Sequence, residues 1–219
     1  MSVREQFDLK LKTMKEMLLE LGTLAEVSLD KAFYALEHED VDMALRVIEE
    51  DQKADDLEEE INDLAIILIA RQSPVAIDLR RIIAALKISA DVERIADLSV
   101  NIAKSVIRMG NREHRIEMEQ LPKMRKMVKE MLSSAIQAYV EEDVVLAKKV
   151  AETDDDVDRL YAEMVPELMP MSTRFPDEIV QITQLAFIGR YIERIADHTT
   201  NIAEEVFYLV KGIRYDLNE

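Results

Sequence analysis

"ERIADLSVNIAKSV" occupies Glu93–Val106, and "ERIADHTTNIAEEV" occupies Glu193–Val206. Nine of the fourteen aligned positions are identical. The likeness continues upstream, where "EDVDMALRVIEEDQKADDL" from Glu39 aligns with "EDVVLAKKVAETDDDVDRL" from Glu142. The upstream pair is spaced by 103 residues and the downstream pair by 100, so the loops between them differ by three residues. Self-similarity at one long period across a whole chain means two copies of one unit. The halves are expected to be residues 1–112 and 113–219, each long enough to bury a helical core.

The unit is helical. Phe7, Leu11, Met14, Leu18, Leu21, Ala25, Ser28, Ala32 and Ala35 step by four and three, the spacing of one helix face. This predicts a first helix over about 4–38 and a second over about 40–71. Ser73-Pro74 serves as N-cap and first position of a third helix, which stops at Gly110-Asn111. The pattern restarts at Leu121, Met124, Val128, Met131, Ala135 and Ala138, with the Met-rich stripe read as core. A fifth helix follows over about 143–168, near Pro166 and Pro170, and a sixth ends near Gly212. No stretch alternates as a strand does. The expected fold is all-α: two tandem, sequence-related three-helix bundles.

Composition narrows the function. The chain has 45 acidic against 28 basic residues, a formal net charge of −17. Such a surface repels nucleic acid and anionic lipid, and suits cations or basic patches on partner proteins. There is no Cys, which excludes disulfides and thiolate metal sites and fits a reducing compartment. The start, "MSVREQFDLKLK", lacks the apolar core of a signal peptide, and the longest apolar run, "LAIILIA", is too short to span a bilayer. The expectation is a cytoplasmic protein without membrane insertion. His38, His114 and His198 are isolated and read as solvated.

Acids interrupt the apolar rows. In the second helix the row is Ala44, Val47, Asp51, Ala54; in the fifth it is Ala147, Val150, Asp154, Val157. Glu93 breaks the row of the third helix, and Glu193 that of the sixth. Each has an acidic neighbour four residues on: Asp55, Asp158, Asp97 and Asp197. Such a pair shares one helix face, roughly 6 Å apart. Antiparallel helices rise equally from their turn. Asp55 and Glu93 lie equidistant from Pro74, as do Asp51 and Asp97; the second set centres between Phe175 and Pro176. Each repeat therefore gathers four carboxylates at one level. These acids protonate, pair with Arg94, Arg190, Arg194 or Lys87, or bind cations. Ligation by oxygen alone favours hard ions: iron, manganese, magnesium or calcium. The small residues Ala96, Ala103, Ala196, Ala203 and Gly189 are read as leaving room there. Asn101 and Asn201, one turn on, either orient a ligand from behind or bond to the neighbouring helix. No Gly-rich phosphate loop or nucleophile elbow is present.

On "ERIADLSVNIAKS", "RYIERIADHTTNIAEEVFYLVKG" and the acidic segments Asp51–Asp55 and Asp154–Asp158, the sequence resembles the PhoU family of regulators associated with phosphate uptake. It departs in carrying Ala96 and Ala196 where the family often has Gly, and Lys104 where Glu is usual. The resemblance implies a non-enzymatic protein that represses the phosphate-starvation response. Its implied partners are a phosphate ABC transporter and a sensor histidine kinase. It also implies multinuclear iron or zinc held by Asp51, Asp55, Glu93, Asp97, Asp154, Asp158, Glu193 and Asp197. Exposed faces of the long helices suit a homodimer. Two other readings of the residues stay open: a carboxylate-bridged dimetal enzyme, and a metal-free structural bundle.

Overall fold

A computed structural model of the chain describes residues 3–110, 116–215 and 217. The helices are α1 (Val3–His38), α2 (Val41–Glu50), α3 (Gln52–Gln72), α4 (Ala76–Met109), α5 (Gln120–Glu141), α6 (Val144–Arg174) and α7 (Ile179–Lys211). A 3-10 turn, Pro176–Glu178, leads into α7, and the described residues contain no strand. The expected boundary near Arg112 falls outside the described residues.

The repeat reaches into the loops. Glu39 and Glu142 both take φ of 55°, a left-handed conformation that costs a side chain about 1 kcal/mol and that Gly adopts freely. The residue after each ties the turn down from both sides. Asp40 N donates to Ala35 O at 3.0 Å and Asp143 N to Ala138 O at 2.9 Å, closing the preceding helix. Their carboxylates then cap the next helix, Asp40 accepting from Met43 N and Asp143 from Val145 N and Leu146 N.

Three local expectations are corrected. The second helix is interrupted at Asp51, whose carbonyl accepts both Ala54 N and Asp55 N; its φ of −58° and ψ of −38° stay helical, so this is one tightened turn. The cap of α4 is Val75, not Ser73; Ser73 instead closes α3 with φ of 44°. And α6 runs through Pro166 and Pro170 to Arg174. Both prolines are exposed, so the carbonyls they leave unbonded meet water, while Met164 and Leu168 are fully buried and hold the helix down.

The repeats share one continuous core. Leu18, Leu21, Ile61, Ile88, Ile95, Met124, Val128, Ile188 and Ile195 belong to a single cluster that runs across both. The seam is α4 on α7, which pack on each other more extensively than either packs on any other single helix. Lys87 pairs with Glu205 and Asp91 with Asn201, so four residues forward on α4 is four back on α7. Those helices are antiparallel, as are α1 and α5, where Glu37 meets Arg125 and Asp30 meets Lys129. An approximate twofold axis perpendicular to the helices relates the repeats. It puts the middles of α4 and α7, which carry the acids, side by side.

Candidate metal centre

In each repeat the two acid-bearing helices meet at the expected level. Asp51 feels the charges of Asp55 and Asp97, and Glu93 those of Asp97 and Asp55. The second repeat reproduces the pattern: Asp154 feels Asp158 and Asp197, and Glu193 feels Asp197 and Asp158. The helices force this juxtaposition because the rows that hold Val47 and Ile61, or Val150 and Val157, must go inward. An acid on the same row is carried in with them.

Burial is the leading cause of the electrostatics, and repulsion between neighbours comes second. Asp51 and Glu93 are pushed up to about 6, with Lys104 opposing at Asp51 and Arg94 at Glu93. Asp154 and Glu193 are pushed further, to about 7. Arg190 opposes at Glu193, and the Thr200 hydroxyl at Asp154. Asp55 and Asp158 are raised for the same reasons.

Only part of this charge is paired. Arg94 Nη1 donates to Asp97 Oδ2 at 2.7 Å, and its Nε lies 3.4 Å from Glu93. Arg190 pairs with Glu193. Yet Asp51 Oδ1, Asp154 Oδ1 and Glu193 Oε2 are buried with no hydrogen-bond partner. Asp154 is 5% exposed and Glu193 9%. Buried carboxylate oxygens without donors are costly, and a proton, a water or a cation would each relieve that cost. One oxygen each from Asp158, Glu193 and Asp197 lie within 4.8 Å of one another, close enough to share an ion. The residues fit an oxygen-ligated metal.

Several site details are decided by the structure. Glu58, on the same row as Asp51 and Asp55, adds a further acid that acts on Glu93; its counterpart is Tyr161. Gly189 leaves no room for a ligand: the Met164 side chain fills the space where a Cβ would stand, with Tyr161 Cδ2 3.2 Å away. Asn201 bonds to the neighbouring helix, its Nδ2 donating to Asp91 Oδ1 at 3.1 Å. Asn101 is half-buried. His198 is no solvated residue: its side chain is 19% exposed and its Nδ1 lies 2.9 Å from Asp91 Oδ1. His38 is at the surface, stacked on Tyr34, and His114 lies outside the described residues.

Fold and site together define a class: an all-helical, internally duplicated protein with one carboxylate cluster per repeat. The sequence model of the PhoU domain matches residues 18–106 and again 121–206, and the chain belongs to the PhoU family. A Clostridium acetobutylicum protein named phosphate-specific transport system accessory protein PhoU homolog is 38% identical over 99% of both chains. The crystal structure of PhoU from Pseudomonas aeruginosa superposes with a TM-score of 0.91 at 32% identity, covering 94% of this chain and 100% of that one. The phosphate transport system regulatory protein PhoU from Streptococcus pneumoniae gives 0.88 at 30%, covering 96% and 99%. Among the described residues no helix is long and apolar enough to cross a membrane.

Proposed function

We propose that this protein is a metal-binding regulatory adaptor. It represses the phosphate-starvation response and phosphate uptake when phosphate is plentiful, by linking a phosphate ABC transporter to a sensor histidine kinase. The regulatory part rests on full-length likeness to proteins named as accessory or regulatory components of phosphate transport. The metal part rests on one observation: Asp154 and Glu193 present buried, unpartnered oxygens beside Asp158 and Asp197. Iron or zinc in multinuclear form would be held by Asp51, Asp55, Glu93 and Asp97 in one repeat, and by Asp154, Asp158, Glu193 and Asp197 in the other. When bound, such a metal would supply positive charge that neutralises these carboxylates, and through them α3 would be tied to α4 and α6 to α7. The adaptor works in the cytoplasm as a homodimer, its units being residues 1–112 and 113–219.

The chemistry around the clusters favours docking over turnover. A dimetal hydrolase or oxidase needs an acid or base beside an open coordination position. His198, next in sequence to Asp197, is occupied by Asp91. A metal-free bundle would have its buried acids paired, and Asp51 and Asp154 each keep an orphan oxygen. The excess of acids suits basic cytoplasmic faces of membrane proteins, and such association weakens with salt.

Deleting the gene is expected to switch on the starvation response in phosphate-rich medium. Pull-down from membrane fractions is expected to recover a sensor kinase or transporter ATPase at low ionic strength and lose it at high. A deletion strain with normal repression overturns the adaptor role. Elemental analysis of protein purified without chelator tests the metal separately.

A further inference from the structure

The two clusters are related by sequence but not equal in surroundings. In the second repeat three carboxylates converge, with one oxygen each inside 4.8 Å. Two of its members keep unpartnered oxygens: Asp154, more than nine-tenths buried, and Glu193, whose side chain is 11% exposed. Each cluster meets one guanidinium, but in the first repeat Arg94 bonds to Asp97 and also lies 3.4 Å from Glu93, whereas in the second Arg190 pairs with Glu193 alone and leaves its Oε2 unpartnered. Lys104, exposed two turns beyond Asp97 on the same helix face, adds a positive charge on the side of Asp51. The equivalent position in the second repeat is Glu204, which accepts from Leu217 N at 2.8 Å. Glu58 adds an acid to the first cluster, where the second has Tyr161, but it acts at Glu93, the end already held by Arg94.

The floor of the first cluster differs too. Ser28 stands on α1 where the matching stripe of α5 carries Met131. Met131 is buried and fills its place. Beside Ser28 a cavity of about 30 Å³ remains, lined also by Lys31, Asp51, Ala54 and Ala96. Ser28 Oγ and Asp51 Oδ1 are both buried and unpartnered. A space of that size with two polar atoms takes a single water. Asp51 therefore has a local alternative to a metal.

We propose that the second-repeat cluster, Asp154, Asp158, Glu193 and Asp197, is the tight metal site, and that Lys104 and Arg94 hold the first-repeat cluster as a weaker, second-filling site. The proposal rests on the metal-binding reading above. A cation entering the second cluster meets three carboxylates already gathered, and unpartnered oxygens on Asp154 and Glu193. One entering the first must displace Arg94 from two carboxylates, where one entering the second displaces Arg190 from Glu193 alone, and must also approach the ammonium of Lys104. Coulomb repulsion by one such charge near a protein surface is worth on the order of tenfold in affinity. The protein would then respond to metal in two steps, occupied at one repeat when metal is scarce and at both when it is abundant.

The test is a titration of the stripped full-length protein with Mn(II), reading free Mn(II) by its electron paramagnetic resonance signal. Two classes are expected, separated by tenfold or more. Asp158→Asn with Asp197→Asn is expected to remove the tight class and leave the weak one. Asp55→Asn with Asp97→Asn is expected to do the reverse. Lys104→Gln is expected to tighten the weak class by on the order of tenfold and leave the tight class unchanged. These are shape-conserving changes that relieve repulsion, and circular dichroism of each stripped variant checks its fold. Loss of the tight class on changing the first cluster, or one class reduced equally by both pairs, overturns the proposal while leaving metal binding intact. No saturable Mn(II) or Fe(II) binding by the unaltered protein overturns the metal reading itself, and the proposal with it.

Discussion

Replacing Asp154 by Asn is expected to stabilise the metal-stripped protein at about pH 8. Asp154 is 5% exposed, its Oδ1 has no partner, and burial, then Asp158 and Asp197, pushes its carboxyl from 3.8 up to about 7. The sign follows from which state binds more protons. Below 3.8 both folded and unfolded chains are protonated and the stability is fully present. As pH rises the unfolded chain ionises first, so the folded state loses ground until about 7, and the loss is complete above that. At 1.36 kcal/mol per pH unit the interval from 3.8 to about 7 amounts to about 4 kcal/mol; water reaching the cluster rim and relaxation of the side chain reduce this to about 1–3 kcal/mol. Asn keeps the shape and never ionises, so the variant avoids the loss. For a chain of this size about 2 kcal/mol moves Tm by about 4–8 °C. The assay is thermal melting followed by circular dichroism in chelator, from about pH 4 to about pH 8.5, for both proteins. The wild-type Tm should fall more steeply with pH than that of the variant, and the curves should draw together near pH 4. Added metal should reverse the order, because a ligand at about 100 times its Kd stabilises by about 2.7 kcal/mol and the variant holds it less well. A stripped Asp154→Asn protein that melts below wild type at pH 8 refutes the reasoning, since it would mean that the carboxylate makes a bond the fold depends on.

Gly189→Ala should destabilise by about 1–2 kcal/mol in urea unfolding, because the added methyl meets the buried Met164 side chain and Tyr161; Met164→Leu, which withdraws the terminal methyl, should recover most of the loss. Asp143→Ala removes the carboxylate that accepts from Val145 N and Leu146 N, and should cost about 1 kcal/mol in the same assay with metal binding unchanged. Leu18→Ala empties a fully buried position on α1 and should cost about 2–5 kcal/mol, enough to be lethal to folding in a marginal background; a loss under 1 kcal/mol would show that the shared core is not close-packed there.

The order of elements was legible because hydrophobic spacing of three and four persists along each helix and the chain says the same thing twice. Gly110 ends α4 as its sequence position implies, with φ of 74° and its N–H on Val106 O and Ile107 O. The level-matching of acids was also legible, since a tight turn fixes the register of the helices it joins. Turn chemistry was less so. Ser73-Pro74 reads as a helix start, but Ser73 closes the helix before it. Pro166 and Pro170 read as a stop, but the buried Met164 and Leu168 outweigh two lost hydrogen bonds on an exposed face.

The sequence by itself determined the helices, the duplication and the eight acids on inward rows, because helical periodicity and antiparallel register are local consequences of the chain. Only the tertiary structure decided what lies between the repeats. Packing α4 against α7 across an approximate twofold axis joins two cores into one and brings Asp91 to His198 and Asn201, residues more than a hundred positions apart. It decided too that the second cluster gathers three carboxylates with Arg190 on Glu193 alone, while in the first Arg94 spans Asp97 and Glu93. Those facts depend on side chains from different helices competing for the same few ångströms, and linear spacing carries no record of that competition.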